Sequence, residues 1–233
     1  MPTKLLVLQH VPHEHPGYIT DYARDKNIQL DVVELWHPYV IPVVSDYAGV
    51  IIMGGPMGVY EEFSSKKYEI ALIQECVETT RVLGMCLGSQ LIAHALGAKV
   101  YPNIREGKRI KEVGYFSVEL TEEGKRHPIL AGFPDTMTVL QWHGDIFDLP
   151  EKAERLVTSA LCENQAFGYK KCFGSLFHFE FTPEMIKNQI AIDTAWIHTD
   201  NELDEDTLLR NAESDRALMK GQCYRLLDNF LSL

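Results

Sequence analysis

The sequence predicts an α/β fold built on a doubly wound, mostly parallel central sheet with helices on both faces. Three observations carry that prediction. Apolar runs such as "KLLVLQH" and "AGVIIMGG" are continuous rather than alternating, as strands covered on both faces must be. These runs alternate with stretches of helical spacing through the first hundred residues. At one strand-to-helix junction a cysteine stands between two glycines, in "GMCLG". Added β-hairpin structure and C-terminal helices complete the expected architecture.

Taken in order, "KLLVLQH" is a first buried strand, "YITDYARDKN" a helix and "IQLDVVEL" a second strand. "AGVIIMGG" is a third, β-branched strand. "SSKKYEIALIQECVETT" places Ile70, Ile73, Cys76 and Val77 at helical spacing. "RVLGMC" is the fourth strand and "SQLIAHALG" the helix after it. From about Gly97 the pattern changes to short strands separated by turn signals: "AKVYPN", "VGYFSVEL", "MTVLQWH", "RLVTSA", "QAFGYK" and "FGSLFHFEF". After Thr182 the chain reads as helical, starting with "TPEMIKNQIAIDTAWIH", whose Pro183 suits a first turn. One or two further helices follow, and the acidic run "DNELDED" suits a helix N-terminus. The 233 residues are expected to form a single domain, with a catalytic core over about 1–184 and a helical extension over about 185–233.

The formal net charge of −11 disfavours phosphate backbones and anionic lipid surfaces as partners, so neither nucleic acid nor membrane is expected. Five cysteines form no C-x-x-C pair, and the N-terminus has no signal-peptide pattern. Both features point to the cytoplasm.

Gly84-Met85-Cys86-Leu87-Gly88 has the form G-x-C-x-G. A sharp turn from strand to helix leaves no room for Cβ atoms at its flanks, which accounts for the glycines. It also sets the sulfur at the ligand-binding edge of an α/β sheet, beside free N–H groups that favour a thiolate. A buried structural cysteine is the alternative, and Cys76, Cys162, Cys172 and Cys223 take that reading because they lack the glycines. A nucleophile needs a base. On a strand, His178 and Glu180 of "FHFE" would share a face about 6.5 Å apart, close enough for the carboxylate to orient the imidazole. Gly54-Gly55-Pro56-Met57-Gly58, after the third strand, is either a tight turn or a loop offering N–H groups to an anion. It is not a Walker A loop, since no G-K-[ST] follows.

Together "GGPMG", "GMCLGSQ" and "FHFE" resemble the class I, triad-type glutamine amidotransferases, most closely the stand-alone GMP synthase-like group, over roughly Leu5 to Glu184. "QWHGDIFDLP" and "NQAFGYK" are similar to that group as well. The resemblance implies a flavodoxin-like fold and a Cys86–His178–Glu180 triad. Cys86 would attack the glutamine side-chain amide to form a γ-glutamyl thioester. His178 would protonate the departing ammonia and then activate water, and Glu180 would orient His178. Gly55 and Leu87 N–H groups would form the oxyanion hole, and Gly58, Gln90, Gly144 and Asp145 would meet the substrate. No cofactor and no metal are implied. The substrate would be L-glutamine or a γ-glutamyl compound, and a synthetase subunit could receive the ammonia. A homo-oligomer is left open.

The family usually writes H-P-E where this chain has Phe179, and GMP synthase carries an S-G-G-x-D-S loop that is missing here. A γ-glutamyl peptidase using the same triad, and a non-catalytic member of the superfamily, are therefore the competing readings. His10, His13 and His15 could be a zinc cluster, but nothing completes it, and a polar loop at the ligand edge is favoured. His143 is the only rival base. Trp36, Trp142 and Trp196 read as core or pocket walls.

Overall fold

The computed structural model describes residues 3–199 and 203–233. In chain order the elements are β1 (Lys4–Gln9), α1 (Tyr18–Asp25), β2 (Gln29–Glu34), β3 (Gly49–Ile52), α2 (Lys66–Cys76), β4 (Val82–Met85) and α3 (Leu87–Ala95). There follow β5 (Val100–Pro102), β6 (Ile104–Arg105), β7 (Lys108–Arg109), β8 (Glu112–Leu120), α4 (Glu122–Arg126), β9 (Thr136–His143) and β10 (Asp145–Phe147). The chain closes with β11 (Glu154–Thr158), β12 (Ala166–Tyr169), β13 (Cys172–Ser175), α5 (Pro183–His198), α6 (Glu205–Ser214) and α7 (Arg216–Ser232).

The central sheet runs β2-β1-β3-β4-β13-β12-β11-β8-β9. β2 to β13 pair in parallel, and β13 to β9 pair antiparallel. The continuous apolar runs have a direct cause. Leu5 and Val7 of β1 enter one core, under α1 and α7, while Leu6 and Leu8 enter the other, under α2 and α3. The strand order reverses at β1, so the loops after β1, β3 and β4 open side by side at the carboxyl edge. A third core, over β8 and β9, is closed by α5 and α6.

Several expectations change. The segment "FGSLFHFEF" stops being a strand at Ser175. His178 keeps only an isolated bridge to Leu140 of β9, through its own N–H at 2.8 Å from the Leu140 carbonyl. The hairpin β6–β7 and strand β10 were not anticipated; both are two or three residues long, too short to show periodicity. The buried face of α2 is Glu69, Leu72, Ile73 and Cys76, with Ile70 only half-buried. The acidic run does lead into a helix: the Asp204 side chain caps α6 by accepting from Thr207 N–H at 2.9 Å, while residues 200–202 of that run lie outside the described residues. The C-terminal helices pack on the domain itself. Met219, Cys223, Leu226, Leu227 and Phe230 of α7 are all in the first core. No helix among the described residues is long and apolar enough to cross a membrane.

Candidate active site

The corner between β4 and α3 is built by close approach. A Cβ on Gly84 would lie 2.6 Å from Gly88 backbone, and one on Gly88 would overlap the Ile52 carbonyl of β3. Cys86 itself takes φ 47°, ψ −111°, a conformation that costs an L-residue roughly 1–2 kcal/mol. That corner is tied down by Cys86 N–H to the Ser175 carbonyl at 2.8 Å and by the Ser89 hydroxyl to the Cys86 carbonyl at 2.7 Å. All five cysteines are free thiols and all are buried. Cys86 lines a cavity of about 270 Å³ together with Gly55, Gln90 and Asp145.

His178 and Glu180 lie behind Cys86, 1% and 2% exposed, held in an irregular turn rather than on a strand. Glu180 Oε1 is 2.7 Å from His178 Nδ1; the Cys86 thiol lies against the Trp142 carbonyl at 3.8 Å and interacts electrostatically with the same imidazole. Phe179 supplies what a proline in its place could not. Its backbone N–H donates to Glu180 Oε2 at 3.1 Å, and its ring stacks on Phe133 in the core. Burial would depress the His178 pKa, but the Glu180 carboxylate and the Cys86 sulfur outweigh it and hold it well above the usual imidazole value. Burial pushes the Cys86 thiol up; the hydrogen bonds from His178 and from Leu87 N–H pull it back.

The glycine loop after β3 lies over the same space. Gly55 lines the cavity, and His10 Nδ1 is 3.0 Å from the Gly54 carbonyl. His10 Nε2 is 2.9 Å from Glu69 Oε2, and neither side chain has any exposure. Burial works to lower the His10 pKa, yet the Glu69 carboxylate reverses the shift and keeps it above normal. The three histidines after β1 therefore have separate employment: His10 pairs with Glu69, His15 accepts from Gly17 N–H at 3.1 Å, and half-buried His13 faces Asp193. Among the described residues, no group of three or more His, Cys, Asp or Glu is placed to hold a metal ion.

Of the residues expected to meet substrate, Gln90, Gly144 and Asp145 line the cavity with Cys86 and Gly55. Gly58 does not. Its N–H is taken by Glu61 Oε2 at 2.9 Å, and the space beside it is filled by the Tyr60 ring. Gln90 Nε2 donates to the Asp145 carbonyl at 3.4 Å, and the Asp145 carboxylate is ion-paired to Arg109 at 2.7 Å. His143 also lines the cavity, at the end of β9 rather than in a loop. Burial drives its pKa down to about 3, so it stays neutral where His178 carries a proton, and it is no rival base. Its Nε2 sits 3.4 Å from Glu112 Oε2 on the neighbouring strand.

Sequence reasoning missed the rest of the wall: Glu14, Arg109, Gln189, Asp193 and the chemistry around Trp142 and Trp196. Trp142 Nε1 and Gln189 Nε2 both donate to Asp193 Oδ2, at 2.9 and 2.7 Å. Gln189, Asp193 and Trp196 come from α5, so the first C-terminal helix forms part of the cavity. Glu184, six residues beyond His178, is exposed on the first turn of α5.

The family model for class-I glutamine amidotransferase matches residues 17–197. A putative glutamine amidotransferase-like protein, YfeJ, of Salmonella typhimurium is 33% identical over 189 residues, covering 78% of this chain and 77% of that one. A glutamine-hydrolysing GMP synthase of Caldicellulosiruptor saccharolyticus is 33% identical over 171 residues, or 66% of this chain but only 30% of the synthase. The solved structure of a glutamine amidotransferase from Thermotoga maritima superposes over the whole of both chains, with a TM-score of 0.90 and 34% identity. By sequence and by fold, the chain belongs to the class-I glutamine amidotransferase family.

Proposed function

We propose that the protein hydrolyses the side-chain amide of L-glutamine through a thioester on Cys86. The observation that carries this reading is the buried chain Cys86–His178–Glu180 opening on a cavity. The Cys86 sulfur attacks the side-chain carboxamide carbon, and its proton passes to His178. The resulting oxyanion is met by N–H groups of Gly55 and Leu87. His178 returns the proton to the nitrogen, the C–N bond breaks, and ammonia leaves. Water, deprotonated by His178, then cleaves the thioester to release glutamate and restore the thiol. Asp145 and Arg109 offer opposite charges for the α-ammonium and α-carboxylate of the substrate. The chain acts as one domain in the cytoplasm and passes its ammonia to a separate synthetase subunit, as its similarity to about a third of a GMP synthase suggests. The test is ammonia release from glutamine, together with an adduct of about 129 Da on Cys86, the mass of glutamate less water.

The Gly54–Gly55 peptide is trans, so its carbonyl and its N–H point in opposite directions. His10 holds the carbonyl, and in this mechanism it thereby aims the Gly55 N–H at the oxyanion. Two variants separate the two bonds of His10. His10→Gln keeps a donor for Glu69 but loses the one to Gly54. It should lower kcat roughly a hundredfold with KM and Tm little changed. His10→Asn keeps the donor to Gly54 but strands the buried Glu69 carboxylate, and it should retain kcat while losing about 3 kcal/mol of stability. Steady-state kinetics and thermal melts read both.

Glu180→Gln removes the charge that raises the His178 pKa. A weaker imidazolium stabilises the Cys86 thiolate less, so the thiolate forms at higher pH. The midpoint of Cys86 alkylation by iodoacetamide should shift upward. Glutamine turnover at pH 7 should fall by at least about a hundredfold, as when a triad base loses its orienting carboxylate.

A further inference from the structure

We propose that Glu14 restricts this cavity to γ-glutamyl donors whose leaving group carries no negative charge. Such donors are the primary amide of glutamine and γ-glutamyl derivatives of neutral or cationic amines, and γ-glutamyl amino acids are excluded. The proposal rests on the reading of Cys86 as the acylated nucleophile and decides between the two donor classes that the triad alone would accept.

Glu14 is 5% exposed and lines the cavity beside Cys86. Among the described residues it accepts no hydrogen bond from the protein. A mostly buried carboxyl without protein donors that faces a cavity is open to donors carried by a ligand. Burial raises its pKa to about 7, against the pull of His178 and His10, so the carboxylate is present in mildly alkaline solution.

Its position decides what it meets. Glu14 Oε2 and His178 Cε1 crowd the same point above Gly54, the ring carbon at 3.3 Å from where a Cβ would stand. His178 Nδ1 is committed to Glu180, so the proton for the leaving nitrogen comes from Nε2, the atom bonded to Cε1 on its other side. The leaving nitrogen, and any group attached to it, therefore lies between Nε2 and Glu14. The amide hydrogens of glutamine give Glu14 the donors it lacks. A leaving amino acid would instead bring its α-carboxylate, two bonds from the nitrogen, against a carboxylate in a water-poor site. The cations nearby are already engaged: His178 and His10 are paired with Glu180 and Glu69. Arg109 is paired with Asp145, and Asp193 adds a further negative charge.

The test compares two amides of the same shape, γ-L-glutamyl-L-alanine and γ-L-glutamyl-L-alaninamide, with L-glutamine as the reference. In the wild-type protein at pH 8, kcat/KM for the alaninamide derivative should exceed that for the alanine derivative at least tenfold. In Glu14→Gln the ratio should fall about tenfold; because it is a ratio, any loss of turnover common to both derivatives drops out. A second measurement varies the pH. Between pH 8 and pH 6 the wild-type ratio should drop toward one as Glu14 takes up its proton. The other groups around it, His10, His178, Glu180, Asp193 and Cys86, are all kept in Glu14→Gln, so the ratio in that variant should stay flat over the same pH range. A ratio near one in the wild type, or one unmoved by Glu14→Gln and by pH, overturns the proposal, as does turnover of glutamine with neither derivative cleaved, since the barrier would then be steric. Absence of turnover and of a Cys86 adduct with every donor would instead remove the glutaminase reading itself.

Discussion

Cys86→Ala should lower glutamine hydrolysis by at least about ten-thousandfold and abolish the covalent adduct, while leaving the melting temperature within a few degrees of wild type. The size of the effect follows from what the sulfur alone supplies. Gly55, Leu87, Gln90 and Asp145 stay in place without it, and so does the His178–Glu180 pair, but the carboxamide then meets no nucleophile except water. Stability should be spared because alanine replaces one small side chain with another at the same φ of 47°, so the backbone cost is carried by both proteins. The remaining cysteines give an internal control. Burial pushes Cys162 and Cys172 up to about 12, and neither thiol has an imidazole beside it. Iodoacetamide or diazo-oxo-norleucine should therefore label the native wild-type protein once and the variant not at all, as read by intact mass. Persistence of ammonia release in Cys86→Ala would end the thioester mechanism.

The distribution of what could be read from the sequence has physical causes. The Cys86 corner was legible because its signal is compact: two glycines flank one residue within a five-residue stretch, although what a Cβ at Gly88 would strike, the Ile52 carbonyl of β3, appears only in the fold. The His178–Glu180 pair was found by its spacing but explained by the wrong element. A strand would have placed the side chains on one face. The chain instead leaves β13 at Ser175 and turns, with Phe179 N–H holding the carboxylate. Gly58 was misassigned because a glycine loop shows where freedom is needed and not which N–H is already occupied. Glu14, Arg109 and Asp193 carry no local signal, since they come from a loop after β1, a short hairpin and α5 and meet only when the sheet has formed. One missed residue did leave a trace. Glu69 stands in the i, i+3, i+4, i+7 stripe with Leu72, Ile73 and Cys76, and a carboxylate in a buried stripe requires a buried partner. That partner is His10.

Gly88→Ala should cost about 3 kcal/mol or more in stability, and Gly221→Ala provides its contrast. Both glycines lie inside helices, α3 and α7, and on helix propensity alone each replacement should gain up to about 1 kcal/mol. Packing reverses the sign at one of them. A methyl at residue 88 has to occupy the space of the Ile52 carbonyl, and neither α3 nor β3 can retreat freely. α3 is fixed through Ser89 and Gln90 to the Cys86 carbonyl, and β3 is paired on both sides, with β1 and β4. At residue 221 nothing lies within 4 Å of the added carbon, so only propensity remains. For a chain of this length the first variant should melt roughly 6–12 °C lower and the second slightly higher. Gly88→Ala should also lose activity out of proportion to its unfolded fraction, measured well below its Tm. Displacing the first turn of α3 moves the Leu87 N–H away from the Cys86 sulfur that it now faces. Equal melting temperatures for the two variants would mean that the corner relaxes, and that the glycines are not what holds the sulfur at the cavity.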